Sequence, residues 1–105
     1  MSDPEDVFYQ NTASGELKAD AVSKLVPQPT STFFVPVTHE AWRDTPCVYI
    51  VPTEDRAIPP MIQHMWVDRL KSEKGVLMEV EEMKSDHVPF LSVPEEMLEI
   101  LKKVM

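Results

Sequence analysis

The chain has almost no glycine: among its 105 residues only Gly15 and Gly75. Glycine-rich phosphate loops and dinucleotide fingerprints need a bare backbone close to the ligand, so both are excluded and no cofactor is expected. A nucleophile elbow, the strained turn written Gly-x-Ser-x-Gly, is missing for the same reason. A single cysteine, Cys47, excludes an internal disulfide and a Cys-rich metal site. Positive charge is scarce too: 10 Lys and Arg stand against 18 Asp and Glu, a net charge of −8. Phosphate backbones are held by clustered cations, so no nucleic-acid partner is expected. Short basic groups such as Lys102-Lys103 sit among acids. The longest apolar run, Cys47 to Val51, is far too short to span a bilayer, so no membrane partner is expected. Met1-Ser2-Asp3-Pro4-Glu5-Asp6 is acidic and lacks the apolar stretch of a signal peptide. Together these features lead us to expect a soluble, cytoplasmic protein.

A chain of this length makes one domain at most. Residues 1–13 are polar and without a clear period, which predicts an irregular start. Ser14 can cap a helix reaching about Leu25, with Leu17, Ala21 and Leu25 on one stripe. The proline pair in Val26-Pro27-Gln28-Pro29 ends it. Residues 30–46 read as a long connection with a short helical turn near His39 to Arg43.

Cys47-Val48-Tyr49-Ile50-Val51 is an unbroken, partly β-branched apolar run, the pattern of an interior parallel strand. Pro59 and Pro60 open a helix to about Ser72, since the first turn needs no N–H donors. The sequence predicts Ile58, Met61, Ile62, Met65, Trp66 and Leu70 on its core face. It predicts Gln63, His64, Asp68 and Lys71 on its polar face. Gly75 suits a helix exit, and Val76–Glu82 alternates like a strand with one wetter face. Ser92-Val93-Pro94-Glu95 resembles a capping box opening a last helix. Met97, Leu98, Leu101 and Val104 are expected on the core side of that helix. A right-handed strand–helix–strand crossover makes the strands parallel. Asp55 and His87 then lie just past the carboxyl ends of neighbouring strands, on the rim where open α/β sheets place their chemistry.

At Val48-Tyr49-Ile50-Val51-Pro52-Thr53-Glu54-Asp55, Ile58-Pro59-Pro60, Ser85-Asp86-His87 and Ser92-Val93-Pro94-Glu95-Glu96 the chain resembles the C-terminal third of an α/β-hydrolase. The likeness is to capped members of the methylesterase and hydroxynitrile lyase-like group and their fungal relatives. Ala21-Val22-Ser23-Lys24-Leu25-Val26-Pro27-Gln28 is similar to the end of that family's cap. The resemblance implies an α/β class and a partial α/β-hydrolase fold. Residues 1–29 would be an N-terminal segment and cap-end helix, 30–46 a connection, and 47–105 a C-terminal βαβα part with parallel strands. It implies that Asp55 is the acid and His87 the base of a Ser-His-Asp hydrolase acting on an ester, lactone or related small-molecule carbonyl substrate. It also carries an association of fungal relatives with secondary metabolism.

No nucleophile and no oxyanion loop are present in the chain, so hydrolysis by these residues alone is not expected. Three readings follow. The chain is a truncated or split hydrolase, completed by a complementing chain or by self-association. Or it is a non-catalytic remnant or partner-binding module. Or it is a dehydratase or cyclase using the Asp55–His87 pair without a nucleophile. Asp86 is the alternative acid and reads as a loop-capping residue, because Asp55 follows the interior strand. His39, His64 and His87 show no metal-ligand spacing, so no metal is expected. Cys47, Trp42, Trp66 and the methionines read as packing residues.

Overall fold

The run Cys47–Pro52 forms strand β1, and it pairs in parallel with β2, Met78–Met83. The register joins Cys47 to Met78 and Pro52 to Met83, so both strands end on the same rim. A computed structural model describes residues 3–105; Met1 and Ser2, part of the start expected to be irregular, lie outside it. Along the chain the helices are α1 (Pro4–Phe8), α2 (Gly15–Ser23), α3 (Pro60–Lys71), α4 (Pro89–Ser92) and α5 (Pro94–Val104). Turns of 3-10 helix occupy Thr30–Phe33 and Ala41–Arg43, the second of them at the turn expected in the connection. The crossover between the strands is α3, so the α/β class and the strand–helix–strand–helix order hold. Gly75 has φ +84°, a conformation that side chains disfavour, and turns the chain from α3 toward β2. The regular strand starts at Met78, two residues later than the Val76 expected from the alternation.

Five local expectations are corrected. Residues 3–12 are ordered: Asp3 caps α1 by accepting from Glu5 N at 3.0 Å, and Tyr9 and Thr12 are buried. Ser14 does cap α2, accepting from Leu17 N at 3.0 Å, but the helix stops at Ser23 and buries none of its residues. Helix α3 is rotated from the expected orientation. Gln63, at 3% exposure, and Val67 face the strands, while Met61 is 72% exposed and Met65 and Trp66 are also exposed. The physical reason is width: two strands cannot cover the whole apolar arc of the helix. In α5, Ile100 is the buried residue, and Leu98, Leu101 and Val104 are exposed. The expected capping box is not formed either. Ser92 ends α4, and α5 begins after Val93 with no side-chain cap.

The radius of gyration is 15.5 Å, against ~13 Å for a compact domain of this length. The accessible surface is 7751 Å², where a compact monomer of this mass exposes ~6,000 Å². The excess is roughly twice the ~800 Å² that one partner contributes to a standard protein–protein interface. It includes the outer stripe of α3, and among the described residues the second edge of β1 pairs with nothing. Unpaired apolar edges recruit other chains. Purified on its own, the chain should scatter light as a dimer or larger species and bind a dye specific for apolar surface. A monomer with a sharp cooperative melt would contradict this.

Candidate acid–base site

Pro52 and Met83 end the paired strands, but the ladder continues for two more bonds. Thr53 N donates to Met83 O at 2.8 Å and Glu54 N to Ser85 O at 3.0 Å. The two loops therefore leave the sheet side by side. Asp55 follows immediately. Its Oδ1 accepts from Ala57 N at 2.8 Å and Ile58 N at 3.0 Å, which folds residues 55–58 into a tight turn leading to Pro59. Its Oδ2 accepts from Gln63 Nε2 at 3.0 Å and faces His87 Nδ1 at 2.9 Å. A carboxylate in this setting takes both roles open to it, one oxygen for the loop and one for the imidazole. Its side chain is 2% exposed, while that of His87 is 33% exposed.

The partners fix the tautomer. Three N–H donors already point at the Asp55 oxygens, so the carboxylate accepts, and Nδ1 of His87 carries the proton. The ring's lone pair is then on Nε2, which has no hydrogen-bond partner among the described residues. Phe8 covers the imidazole, with ring centroids 5.3 Å apart and planes at 46°. Such an imidazole can accept a proton at Nε2 and return it, while the carboxylate stabilises the cation.

Asp86 is fully buried and does different work. It accepts from Val88 N and Asn11 N, both at 3.0 Å, and from Ser92 Oγ at 2.8 Å. It is the loop-capping acid, and it holds the backbone on either side of His87. Ser92, expected to cap α5, is drawn to this carboxylate instead. The N-terminal segment closes over both loops. Gln10 Nε2 donates to Glu54 O at 2.6 Å, Asn11 Nδ2 to Glu54 Oε2 at 2.5 Å, and Thr12 Oγ1 pairs with Ser92 Oγ at 3.1 Å. Arg56 reaches Asp6 at 2.5 Å.

The remaining histidines are elsewhere. His64 faces Glu82 at 2.9 Å and His39 faces Asp44 at 3.0 Å, both in exposed pairs. Among the described residues no three His, Cys, Asp or Glu converge as a metal site. Cys47 starts β1, half-buried, with its thiol 3.2 Å from Thr45 O. A groove of about 540 Å³ lined by Cys47, Val48, Leu77, Met78 and Val104 lies at the amino ends of the strands, on the opposite rim from Asp55 and His87.

The profile of the alpha/beta hydrolase family matches residues 1–100. The chain belongs to the alpha/beta hydrolase family. Among curated relatives, a protein named alpha/beta hydrolase nvfD from Aspergillus novofumigatus is 28% identical over 97 residues, covering 92% of this chain and 37% of the relative. A protein named norfluorocurarine synthase 2 from Strychnos nux-vomica is 31% identical over 104 residues, covering 92% of this chain and 36% of the relative. The chain thus spans little more than a third of the length of these curated relatives.

Sequence reasoning did not find Gln63, Phe8, Gln10, Asn11 or the Asp86–Ser92 pairing. Gln63 carried a signal. It shares a stripe with Pro60, Val67 and Leu70, at spacings of three and four, so a polar residue there faces the strands. The N-terminal contacts carried none, because their partners are 43 to 80 residues away.

Removing the Asp86 carboxylate strips charge-assisted bonds from Val88 N, Asn11 N and Ser92. Asp86→Ala should cost about 3 kcal/mol or more and abolish hydrogen-exchange protection of the Val88 and Asn11 amides. Retained protection at both amides would show that the loop is held by other means.

Proposed function

We propose that this chain supplies the acid and base of a hydrolase-type site, acting on an ester, lactone or related carbonyl substrate. Asp55 holds His87 through Nδ1, and Nε2 takes the proton of a serine hydroxyl that comes from polypeptide outside these 105 residues. The serine oxygen bonds to the carbonyl carbon, the bond to the leaving group breaks, and His87 returns the proton to that group. Water then repeats the cycle on the acyl-serine and regenerates the hydroxyl. The observation that carries the reading is the 2.9 Å contact between a buried Asp55 and a partly exposed His87, at the carboxyl rim of a parallel strand pair. Family membership and coverage of only 36–37% of the relatives support a site completed from elsewhere. The secondary-metabolite association of fungal relatives fits the Aspergillus match as a setting for such an enzyme.

A second reading rests on the plant relative named a synthase. The same pair can move protons for an elimination or cyclisation with no covalent nucleophile.

Alone, the chain should show no ester hydrolysis above buffer. Joined to the part of the Aspergillus relative that it does not match, it should hydrolyse activated short-chain esters. His87→Ala should then lower kcat by about 10⁴-fold or more. Hydrolysis by the isolated chain that disappears in His87→Ala would refute the need for an outside nucleophile. In the joined protein, activity that survives loss of the elbow serine would favour the second reading.

A further inference from the structure

We infer that Gln63 is a positioning residue that presents Asp55 to His87, with Tyr49 bracing the far side of its amide. The inference rests on reading Asp55 and His87 as an acid–base couple. Gln63 sits on the face of α3 against the strands, next to the buried Val67, and is itself 3% exposed. A buried amide is costly unless each of its polar atoms is bonded, and here each one is. Nε2 donates to Asp55 Oδ2 at 3.0 Å and to Ile58 O at 2.6 Å, using both its hydrogens. Oε1 accepts from Tyr49 Oη at 3.2 Å.

Only one orientation of the amide works. Turned over, Oε1 would face two acceptors, Asp55 Oδ2 and Ile58 O. Those two acceptors select the working orientation, and the Tyr49 hydroxyl, which can donate or accept, then donates to the oxygen and braces it. Burial, with the Asp55 charge adding to it, pushes this hydroxyl above the ordinary phenol range, so it stays protonated and able to donate. Gln63 therefore bonds the same carboxylate oxygen that faces His87 Nδ1. Oδ1 is already held by the Ala57 and Ile58 amides. With both oxygens held from fixed directions, the carboxylate plane cannot turn, and Oδ2 stays aimed at the imidazole. An apolar residue at position 63 would pack equally well against the strands. It would leave Oδ2 with His87 as its only partner and Ile58 O without one.

The test reads the ring and needs no turnover. In chain labelled with ¹⁵N-histidine, the ring nitrogen shifts report which nitrogen carries the proton, and His87→Ala assigns the signals. Wild-type His87 should be in the Nδ1–H form, and Asp55→Asn should lose it. Gln63→Met, of similar volume, should keep the circular dichroism spectrum and turn His87 into a mixture of both tautomers. Tyr49→Phe, which removes one hydroxyl, should produce a smaller mixture in the same direction, and it tests the inference if Gln63→Met fails to fold. A pure Nδ1–H tautomer in the folded Gln63 variant, or in Tyr49→Phe alone when that is the only folded variant, would reduce Gln63 to a packing role and overturn the inference. A wild-type ring without the Nδ1–H preference would instead remove the acid–base couple itself.

Discussion

The parallel pairing of β1 with β2 is the constraint on which the site depends. Pro52 opposite Met83 brings the two strands to a common end. The two backbone bonds beyond that end hold the loops together for a further two residues. A slip of one residue would turn every strand side chain to the other face. It would also displace Asp55 from His87 by one strand step, about 3.3 Å, which is more than a hydrogen bond tolerates. Nothing in the site is local to one loop: the acid, the base and the amide behind the acid come from three segments joined by this register.

Two carboxylates near one imidazole have divided the work between them. Both are buried, and a buried charge is tolerated only when donors surround it. Asp55 spends one oxygen on its own turn and turns the other outward to the ring. Asp86 receives backbone and hydroxyl donors and has no ring partner. Adjacency in sequence to a histidine therefore says little about which acid serves it. Here the acid contributed by the other strand serves the ring.

What could be read from the sequence follows the range of each force. Strand β1 was legible from five adjacent apolar residues, the start of α3 from Pro59-Pro60, and the turn at Gly75 from a single residue type, because each signal is local. The parallel class and the rim of Asp55 and His87 followed from them through chain handedness. The rotation of α3 was not legible. A helix carrying both a Met-Trp stripe and a Gln-Val stripe turns toward whatever lies beneath it, and two strands are too narrow to receive the first. The N-terminal segment looked irregular because α1 is short and its support comes from loops far along the chain.

That last separation has a consequence for the birth of the molecule. Asp55 and His87 are 32 residues apart, whereas Asn11 and Asp86 are 75 apart, and Thr12 and Ser92 are 80 apart. Closing a longer loop costs more chain entropy, and contacts of long range form late. On a ribosome the segment around Asn11 emerges well before these partners, 75 to 80 residues further along. The N-terminal clasp must wait, its amides bonded to water, until α4 has left the exit tunnel. The earlier-made side of this clasp thus waits for the later one, and it closes over the loops that carry Asp55 and His87.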